Sequence, residues 1–437
     1  MNTPRPRWRL RVCLVACLTL GLQRARPADA PPPDPNPSPA SMSVNAVVDE
    51  VVRKNLELDF YRAEIAAARA GRRTAAQWNN PELSADLGSK RVWERGGGTL
   101  GDGVAWSVSV AQAFEYPGRI ALRKAIANQQ VELAELGLAH FQATLAARAR
   151  ARAHEALAAQ QRLDATDEVA RRLRSLLEVL VQREPAGVTP MLDQRIIEAN
   201  AITLQRRSAE ASRDLQSALL ELNLLRGAPA GSPLRVTGDP GLPTAAPPLA
   251  TLLERSATNN FELRMRQAEL VQQGFQVSLA RNERYPKVTV APFYAAEKAN
   301  DEQRIVGVGV SLPLPLWHQN RGSVDAALAR EQQAEAALRA AQREIERQVT
   351  GHALALESLL REMADWRADA PARFREAAEL ADRHFRLGAV PVTTYVEMQL
   401  KYLDALEALL EARHQALEHR RQLEVLAGGP LDPLTAP

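Results

Sequence analysis

No catalytic or metal-binding constellation stands out in this sequence, and its histidines are scattered along the chain. The histidines are His140, His154, His318, His352, His384, His414 and His419. Only His414 and His419 are near neighbours, and their spacing of five residues does not place them on one face of a helix. Gly96-Gly97-Gly98 is not followed by the start of a helix, as a phosphate-binding loop would be. We therefore predict that the chain is not an enzyme and holds no metal or cofactor.

The first 30 residues have the layout of a secretory signal peptide. Four arginines precede an uncharged run from Val12 to Leu22, and Ala28-Asp29-Ala30 offers a cleavage site. The apolar run is too short to span a membrane, which takes about 20 residues. Leu14-Val15-Ala16-Cys17 also resembles a lipoprotein processing site, but the apolar run continues past Cys17, so a lipid anchor there is possible but not favoured.

Removal of this segment would change both the charge and the thiol content of the protein. Residues 1–30 contain six arginines and one aspartate, so the formal net charge falls from +3 to −2. The apparent basicity belongs to the signal, and nucleic acid is therefore not a predicted partner. Both cysteines, Cys13 and Cys17, lie in the same segment, which excludes cysteine catalysis and zinc–thiolate sites in the mature chain.

The rest of the sequence is a long duplication. Asn55-Leu56-Glu57-Leu58 recurs as Asn260-Phe261-Glu262-Leu263, and Pro81-Glu82-Leu83 as Pro286-Lys287-Val288, both at an offset of 205. Gly187-Val188-Thr189-Pro190 recurs as Gly388-Ala389-Val390-Pro391, and Leu222-x-x-Leu225-x-Gly227 as Leu423-x-x-Leu426-x-Gly428, at an offset of 201. Solenoid repeats are much shorter, at roughly 20–50 residues. The pattern therefore predicts a duplicated subdomain.

Each copy begins with a helical pattern and then changes to a period of two. The first helical pattern runs from Ser43, a plausible cap, to about Asn79, and the second from about Pro248 to Glu283. Pro81 and Pro286 follow these stops. Apolar residues then alternate with small or polar ones, as in Val104 to Phe114 and Val306 to Leu312. This alternation predicts a β-hairpin in each copy.

A very long helix follows each hairpin. The stretches Arg119–Glu184 and Gly322–Leu387 contain no internal stop signal and would each be about 100 Å long at roughly 1.5 Å per residue. Glycine- and proline-containing turns follow, and helices of about 35 residues return to Gly227 and Gly428. Leucines at heptad-like spacing, with abundant alanine, predict coiled-coil packing of these helices.

These boundaries divide the chain into six segments. They are a signal peptide (1–30), a proline-rich leader (31–42), a first repeat (43–227), a linker (228–248) with a strand-like Leu234-Arg235-Val236, a second repeat (249–428) and a C-terminal tail (429–437). The predicted fold class is mainly α with β, in a duplicated order of helix, β-hairpin, long helix and returning helix.

Four strands are too few to close a barrel, and two isolated hairpins would leave exposed edges. If the apolar faces contact lipid and the Gly/Ser/Ala faces point inward, three chains would give a twelve-stranded transmembrane β-barrel. A soluble β-sandwich cap with one buried face is the alternative that the alternation leaves open.

Three stretches resemble the family of TolC-like outer-membrane efflux channels. They are Gln112-Ala113-Phe114-Glu115-Tyr116-Pro117-Gly118-Arg119, Phe385-Arg386-Leu387-Gly388, and Leu423-x-x-Leu426-x-Gly428. The Phe-Glu-Tyr-Pro-Gly-Arg stretch is most similar to the branch that serves heavy-metal (cobalt–zinc–cadmium) resistance. Pro371, which is expected to kink the second long helix, lies where this family often carries a proline.

The resemblance implies a homotrimer in the bacterial outer membrane, with a β-barrel in lipid and an α-helical tunnel in the periplasm. It implies a passive exit duct for substrates, with divalent heavy-metal cations as the expected cargo, delivered by an inner-membrane RND-type pump and a periplasmic adaptor. The implied adaptor contacts are the distal turns, at Gly187, Pro190, Gly388 and Pro391. The implied tunnel residues are Asp193 and Glu397, with Thr394 at a position where the family carries an acid; the alternative is that Asp193 and Glu397 are ordinary solvated helix residues. The strand–helix junctions are Pro81, Pro117, Gly118 and Pro286.

Two other functions remain open from the sequence. A channel of the same fold could instead export drugs and other small molecules or act in type I secretion, because a wide tunnel makes few specific contacts with its cargo. A periplasmic coiled-coil scaffold or adaptor without a pore is the alternative from another class. The paired alternating hairpins argue against it, since an adaptor would carry one helical hairpin and soluble β-domains.

Overall fold

The computed structural model describes residues 40–183, 191–238, 245, 247–317, 319–365 and 370–431, and the fold repeats one order of elements twice. The elements are β1 (Ala40–Ser43), α1 (Val44–Lys54), α2 (Glu57–Ala75), β2 (Glu82–Trp93), β3 (Thr99–Phe114), α3 (Arg119–Arg183), α4 (Met191–Leu225), β4 (Leu234–Thr237), α5 (Leu249–Asn259), α6 (Phe261–Asn282), β5 (Val288–Lys298), β6 (Glu302–Ser311), α7 (Arg321–Asp365), α8 (Ala370–Arg386) and α9 (Val392–Leu426). The predicted mainly helical class with paired hairpins is confirmed.

The first long helix and both returning helices agree closely with the prediction. Helix α3 contains 65 residues and begins at Arg119, as predicted, and α4 and α9 contain 35 residues each. In the second repeat, the predicted helix Gly322–Leu387 corresponds to α7 and α8. Residues 366–369 between them lie outside the described residues. Pro371 is the second residue of α8, a position where proline costs no helical hydrogen bond.

The helical pattern before each hairpin is not one helix, contrary to the prediction of a single helix from Ser43 to about Asn79. Ser43 caps α1 as predicted, but α1 ends at Lys54 and α2 begins at Glu57. The second copy is divided in the same way between α5 and α6. The break falls at Asn55 and Asn260, whose backbones are extended at ψ 130° and 125°.

These two asparagines join the beginning of each repeat to its end. The Asn55 Nδ2 donates to the Leu225 carbonyl at 3.0 Å, and the Asn260 Nδ2 donates to the Leu426 carbonyl at 2.9 Å. The Asn55 Oδ1 accepts from the Glu57 amide and the Asn260 Oδ1 from the Leu263 amide. Asn260 is thus the N-cap of α6, and Asn55 accepts from the first amide of α2. Each asparagine also satisfies a carbonyl at the end of the returning helix, where no intrahelical partner exists.

A glycine completes each junction. Gly227 and Gly428 adopt positive φ angles of 67° and 73° after the last helical turn, a conformation that favours glycine. A Cβ at Gly428 would lie 2.2 Å from the Asn259 carbonyl oxygen, and one at Gly227 would lie 3.2 Å from that of Lys54. The recurring Leu-x-x-Leu-x-Gly thus marks a close backbone approach between the two ends of each repeat.

The core is a series of seams between helices. At the distal end, α3, α4, α8 and α9 share a cluster that includes Leu173, Ile197, Tyr395 and Leu403. Nearer the sheet, the seam between α3 and α4 contains the buried alanines Ala149, Ala153, Ala156 and Ala218. Small residues let helices approach closely. Of the leucines at heptad-like spacing in α9, Leu403, Leu410 and Leu417 are buried and Leu406 is half-buried.

The linker and the end of the leader form a small parallel sheet. Strand β1 pairs with β4, with Ala40 opposite Leu234 and Met42 opposite Val236. The strand predicted at Leu234–Val236 is confirmed. Its partner was not predicted, because the leader sequence before it is dominated by proline, which disfavours strand pairing. Leu234 and Val236 pack with α1 in the cluster that contains Val47 and Val51.

The asparagine junction can be tested by the substitution Asn260→Ala. It removes a helix cap worth about 1 kcal/mol and leaves the Leu426 carbonyl without its partner, which costs a further 1–3 kcal/mol or so. We expect the free energy of unfolding to fall by about 2–4 kcal/mol, as measured by denaturant titration. Asn259→Ala is the matched control, since Asn259 is exposed. Equal losses in both variants would contradict the role assigned to Asn260.

Candidate functional site

The four long strands form one antiparallel sheet in the order β2-β3-β5-β6, and one face of it is apolar. Leu83 lies opposite Val110, Leu87 opposite Trp106, Val108 opposite Tyr294 and Val290 opposite Val310. Directly opposed residues share a face, so the predicted alternation is confirmed by the register. Many of these side chains are exposed within the chain, with Leu87 at 81% and Val306 at 80%.

The opposite face is made mostly of small and polar residues, with Phe293 and Ile305 as its large apolar members. Ser84, Ser107, Ala291 and Gly309 belong to it, and Ser107 donates a hydrogen bond to Asp86 at 2.9 Å. Lys90 forms an ion pair with Glu297 at 2.7 Å across β3. Phe293 lies over Gly307, where a Cβ would come within 2.6 Å of its ring. This face is therefore wettable, whereas the other is not.

The outer edges of the sheet are unpaired. Within the described part of the chain, β2 pairs only with β3 and β6 pairs only with β5. Each edge strand exposes a row of backbone N–H and C=O groups, which are a template for pairing with a further strand. The sheet is consequently incomplete in a single chain.

A buried arginine joins the start of α3 to the end of α6, next to the sheet. Arg119 is 6% exposed, and its guanidinium donates to the Asn282 Oδ1, the Asn282 carbonyl and the Tyr285 carbonyl at 3.0, 3.0 and 2.7 Å. Asn282 in turn donates to the Pro117 carbonyl. Gly118, with φ 88°, provides the sharp turn into α3. The sequence identified this stretch as a motif, but its partners, 163–166 residues away, were not predicted.

Aromatic side chains cluster at the same level of the molecule, close to Pro81, Pro117 and Pro286. Tyr116 and Tyr285 stack with ring centroids 4.2 Å apart, and Trp78 meets Phe114 edge to face at 5.9 Å. These rings are partly exposed. These four side chains form an aromatic border between the sheet and the helices.

The distal turn of the second repeat has a defined helix-capping geometry. Gly388 has a φ of 74°, its amide donates to the Phe385 carbonyl, and the Ala389 amide donates to the His384 carbonyl. Pro391 is the N-cap residue of α9, and Tyr395 is fully buried against Phe385. Burial raises the pKa of the Tyr395 hydroxyl. Gly187 and Pro190 of the first distal turn lie outside the described residues.

The candidate tunnel residues occupy the first turns of the returning helices. Asp193 is half-buried in the first turn of α4, and Thr394 and Glu397 are exposed in the first two turns of α9. Asp193 and Thr394 are equivalent at the offset of 201. The two repeats therefore present different chemistry at the same level, an acid in one and a hydroxyl in the other.

An ionic network joins the two repeats near this end. Arg172 of α3 pairs with Glu168 of the same helix at 2.6 Å and with Glu379 of α8 at 3.4 Å. Arg375 of α8 pairs with Glu168 at 3.2 Å. Since several members are partly exposed, each pair contributes modestly, and the network mainly fixes the register of α8 against α3.

The histidines contain a contact that the sequence did not reveal. The Nδ1 atoms of His352 on α7 and His419 on α9 lie 2.9 Å apart. The two residues are 67 positions apart, so helical spacing could not relate them. A different histidine, His154, is largely buried, and burial lowers its pKa to about 4. Among the described residues, no group of three or more His, Cys, Asp or Glu side chains is arranged to hold a metal ion.

None of the described helices combines the length and the apolar character needed to cross a membrane.

Comparison with known proteins relates both sequence and fold to one group. The family model described as "Outer membrane efflux protein" matches residues 252–429, which is the second repeat. The cobalt-zinc-cadmium resistance protein CzcC of Cupriavidus metallidurans is 25% identical over 295 residues. That alignment covers 66% of this chain and 66% of the relative, so the chain matches just under two thirds of the relative's length.

Two solved structures share the fold over most of both chains. A membrane protein from Pseudomonas aeruginosa superposes with a TM-score of 0.71 at 21% identity, covering 89% of this chain and 91% of the other. The CmeC outer membrane channel of Campylobacter jejuni superposes with a TM-score of 0.70 at 14% identity, covering 88% and 85%.

Proposed function

We propose that this chain, which belongs to the TolC-like family of outer membrane efflux proteins, is the passive exit duct of a tripartite efflux system. It is a protein of the bacterial outer membrane, and membership of a family of channel proteins confirms the prediction that it is not an enzyme. In the proposed system, an inner-membrane RND-type pump supplies the energy and a periplasmic adaptor connects pump and duct.

The observation that carries this proposal is a sheet with one apolar exposed face and two unpaired edges. Strands of 10 to 16 residues are long enough to cross a bilayer, which takes about 9–11 residues. Pairing β6 of one copy with β2 of the next satisfies both edges, and three copies supply a closed barrel of twelve strands. The apolar face then contacts lipid and the small polar face lines the pore.

The helices extend the pore away from the membrane. Helix α3 alone is about 100 Å long, and the aromatic border at Tyr116, Tyr285, Trp78 and Phe114 suits the lipid–water boundary, where such side chains are favoured. We propose that the second distal turn, with Gly388 and Pro391, lies deepest in the periplasm, and that Gly187 and Pro190, which lie outside the described residues, belong to the same end. They are the proposed contacts for the adaptor.

The soluble alternatives fit this sheet poorly. A β-sandwich cap or a pore-free scaffold would have to cover the apolar face, yet side chains such as Leu87 and Val306 remain exposed in the chain. Large exposed apolar patches mark interfaces or membrane contact.

We infer that the cargo consists of divalent heavy-metal cations. Two observations support this inference: the similarity to a protein named for cobalt, zinc and cadmium resistance, and the Phe114–Arg119 motif of the metal branch. Asp193 and Glu397 are the proposed cation-attracting residues of the tunnel, because rings of carboxylates favour cations.

The membrane assignment can be tested with two neighbouring residues of β3. Val108→Arg places a charge on the apolar face and should reduce the yield of folded oligomer in lipid vesicles, since an arginine at the bilayer midplane costs about 2–4 kcal/mol. Ser107→Arg is the matched control, as it places the same charge on the polar face beside Asp86. Equal yields for both variants would contradict a lipid-facing sheet. The oligomeric state is read in the same samples, and a trimer is expected.

The cargo can be tested in a strain that lacks this chain. We expect lower tolerance of Co²⁺, Zn²⁺ and Cd²⁺, restored by the intact chain and not by Val108→Arg. A loss of tolerance confined to organic compounds would overturn the metal assignment and favour drug export, while leaving the duct itself intact.

The tunnel carboxylates can be tested by single-channel recording. Asp193→Ala and Glu397→Ala should each lower the ratio of cation to anion permeability, because each removes a negative charge from every copy. Glu411→Ala removes the same charge from an exposed position further along α9 and should leave the ratio unchanged. Unchanged selectivity in all three variants would rule out the proposed acidic tunnel end.

A further inference from the structure

His352 and His419 lie face to face on two different helices of the second repeat. Their Nδ1 atoms are 2.9 Å apart, their ring centroids are 5.2 Å apart, and the ring planes meet at 49°. Both side chains are half-buried. Since α7 and α9 are long helices packed on each other, the pair stands on rigid elements rather than on loops.

The charges around this pair balance one another. On α7, Arg347 forms hydrogen bonds of 3.0 and 2.5 Å with Glu344. On α9, Arg421 pairs with Glu418, the residue that precedes His419. The nearby arginines are thus matched by carboxylates, so an added cation meets little net repulsion from them.

The pair is not explained by packing. His419 is equivalent, at the offset of 201, to Ala218 of the first repeat, which is buried in the seam of alanines between α3 and α4. At this position the first repeat therefore packs a small apolar side chain, and its nearest polar link between α3 and α4 is the ion pair of Arg152 with Glu221. The second repeat carries instead two side chains that are the commonest metal ligands in proteins.

We propose that His352 and His419 together form a binding site for a divalent transition-metal ion of the Zn²⁺ type, with one Nδ1 atom from each helix and water as the remaining ligands. Zn–N bonds are about 2.0–2.1 Å, so two ligands at a tetrahedral angle stand about 3.3 Å apart. The Nδ1 atoms need to separate by about 0.4 Å from their present contact, and the rings need to turn so that both Nδ1 lone pairs point at the metal. The metal takes the place of the proton between the two Nδ1 atoms, and that proton moves to an Nε2 atom. The protein therefore carries the same number of protons, and the same charge of its own, before and after metal binding.

The site differs from the acidic tunnel residues in place and in chemistry. It links α7, which leaves the sheet, to α9, which returns from the distal turn, and bound metal would hold these helices together. Imidazole ligands select Zn²⁺, Cu²⁺ or Ni²⁺ over Mg²⁺ and Ca²⁺, which prefer oxygen ligands. Binding at this site does not depend on what the duct transports.

The experiment is calorimetric titration of Zn²⁺ into the purified full-length protein, prepared without a histidine tag. We expect one Zn²⁺ ion per chain and no binding of Mg²⁺. His352→Asn and His419→Asn should each weaken binding by at least about tenfold, as loss of a coordinating group does. The double variant should lose little more than either single variant, because both residues hold the same ion.

The matched control is His384→Asn, which removes an exposed histidine from α8 and should leave Zn²⁺ affinity unchanged. Thermal unfolding without metal verifies that each variant is folded, and added Zn²⁺ should raise the unfolding temperature of the unaltered protein but not of the double variant. Undiminished Zn²⁺ binding by the double variant, or the same loss in the control, would overturn the proposal. A protein that binds Zn²⁺ in this way but forms no channel would refute the duct and leave the site standing.

Discussion

The architecture depends on the junction at which each repeat ends beside its own beginning. Helix α3 has 65 residues and needs a partner along its whole length, but no single helix supplies one. Helix α4, with 35 residues, covers the distal part, and α2, with 19, covers the part next to the sheet. Asn55 and Gly227 lie where these two shorter helices meet. The hydrogen bond to the Leu225 carbonyl therefore makes two helices act as one antiparallel partner.

The second repeat uses the same device, and α3 connects the two copies. Asn260 and Gly428 join α9 to α6, and both helices pack on α7. Helix α3 also contacts α6 and α9, while Arg119 holds α6 at the sheet and the Glu168–Arg375 pair holds α8 near the distal end. The sheet and the distal turns are consequently fixed to one frame at opposite ends of the same long helix.

The sequence predicts the parts of this frame that local patterns determine. The strands and long helices were predictable because apolar periodicity is a local property, and the register then placed Val108 and Leu87 on the expected face. The helix break at Asn55 was not predictable, since asparagine is only mildly unfavourable in a helix and its partner is 170 residues away. The contacts of Arg119 and His352 escaped prediction for the same reason. The sequence thus predicts features set by neighbouring residues. It does not predict contacts between residues that are far apart along the chain, whatever their types.

Differences between the copies show where the repeat is free to vary. The asparagine, the glycine and the hairpin are kept in both copies because each solves a geometric problem that occurs twice. The helix seams are under a looser constraint, since alanine closes one at Ala218 and histidine occupies the equivalent position at 419. Packing between alanines does not change with pH or with metal ions. Contact between two imidazoles depends on both. We therefore expect any effect of pH or metal ions on the tunnel to arise in α9 of the second repeat rather than in α4 of the first.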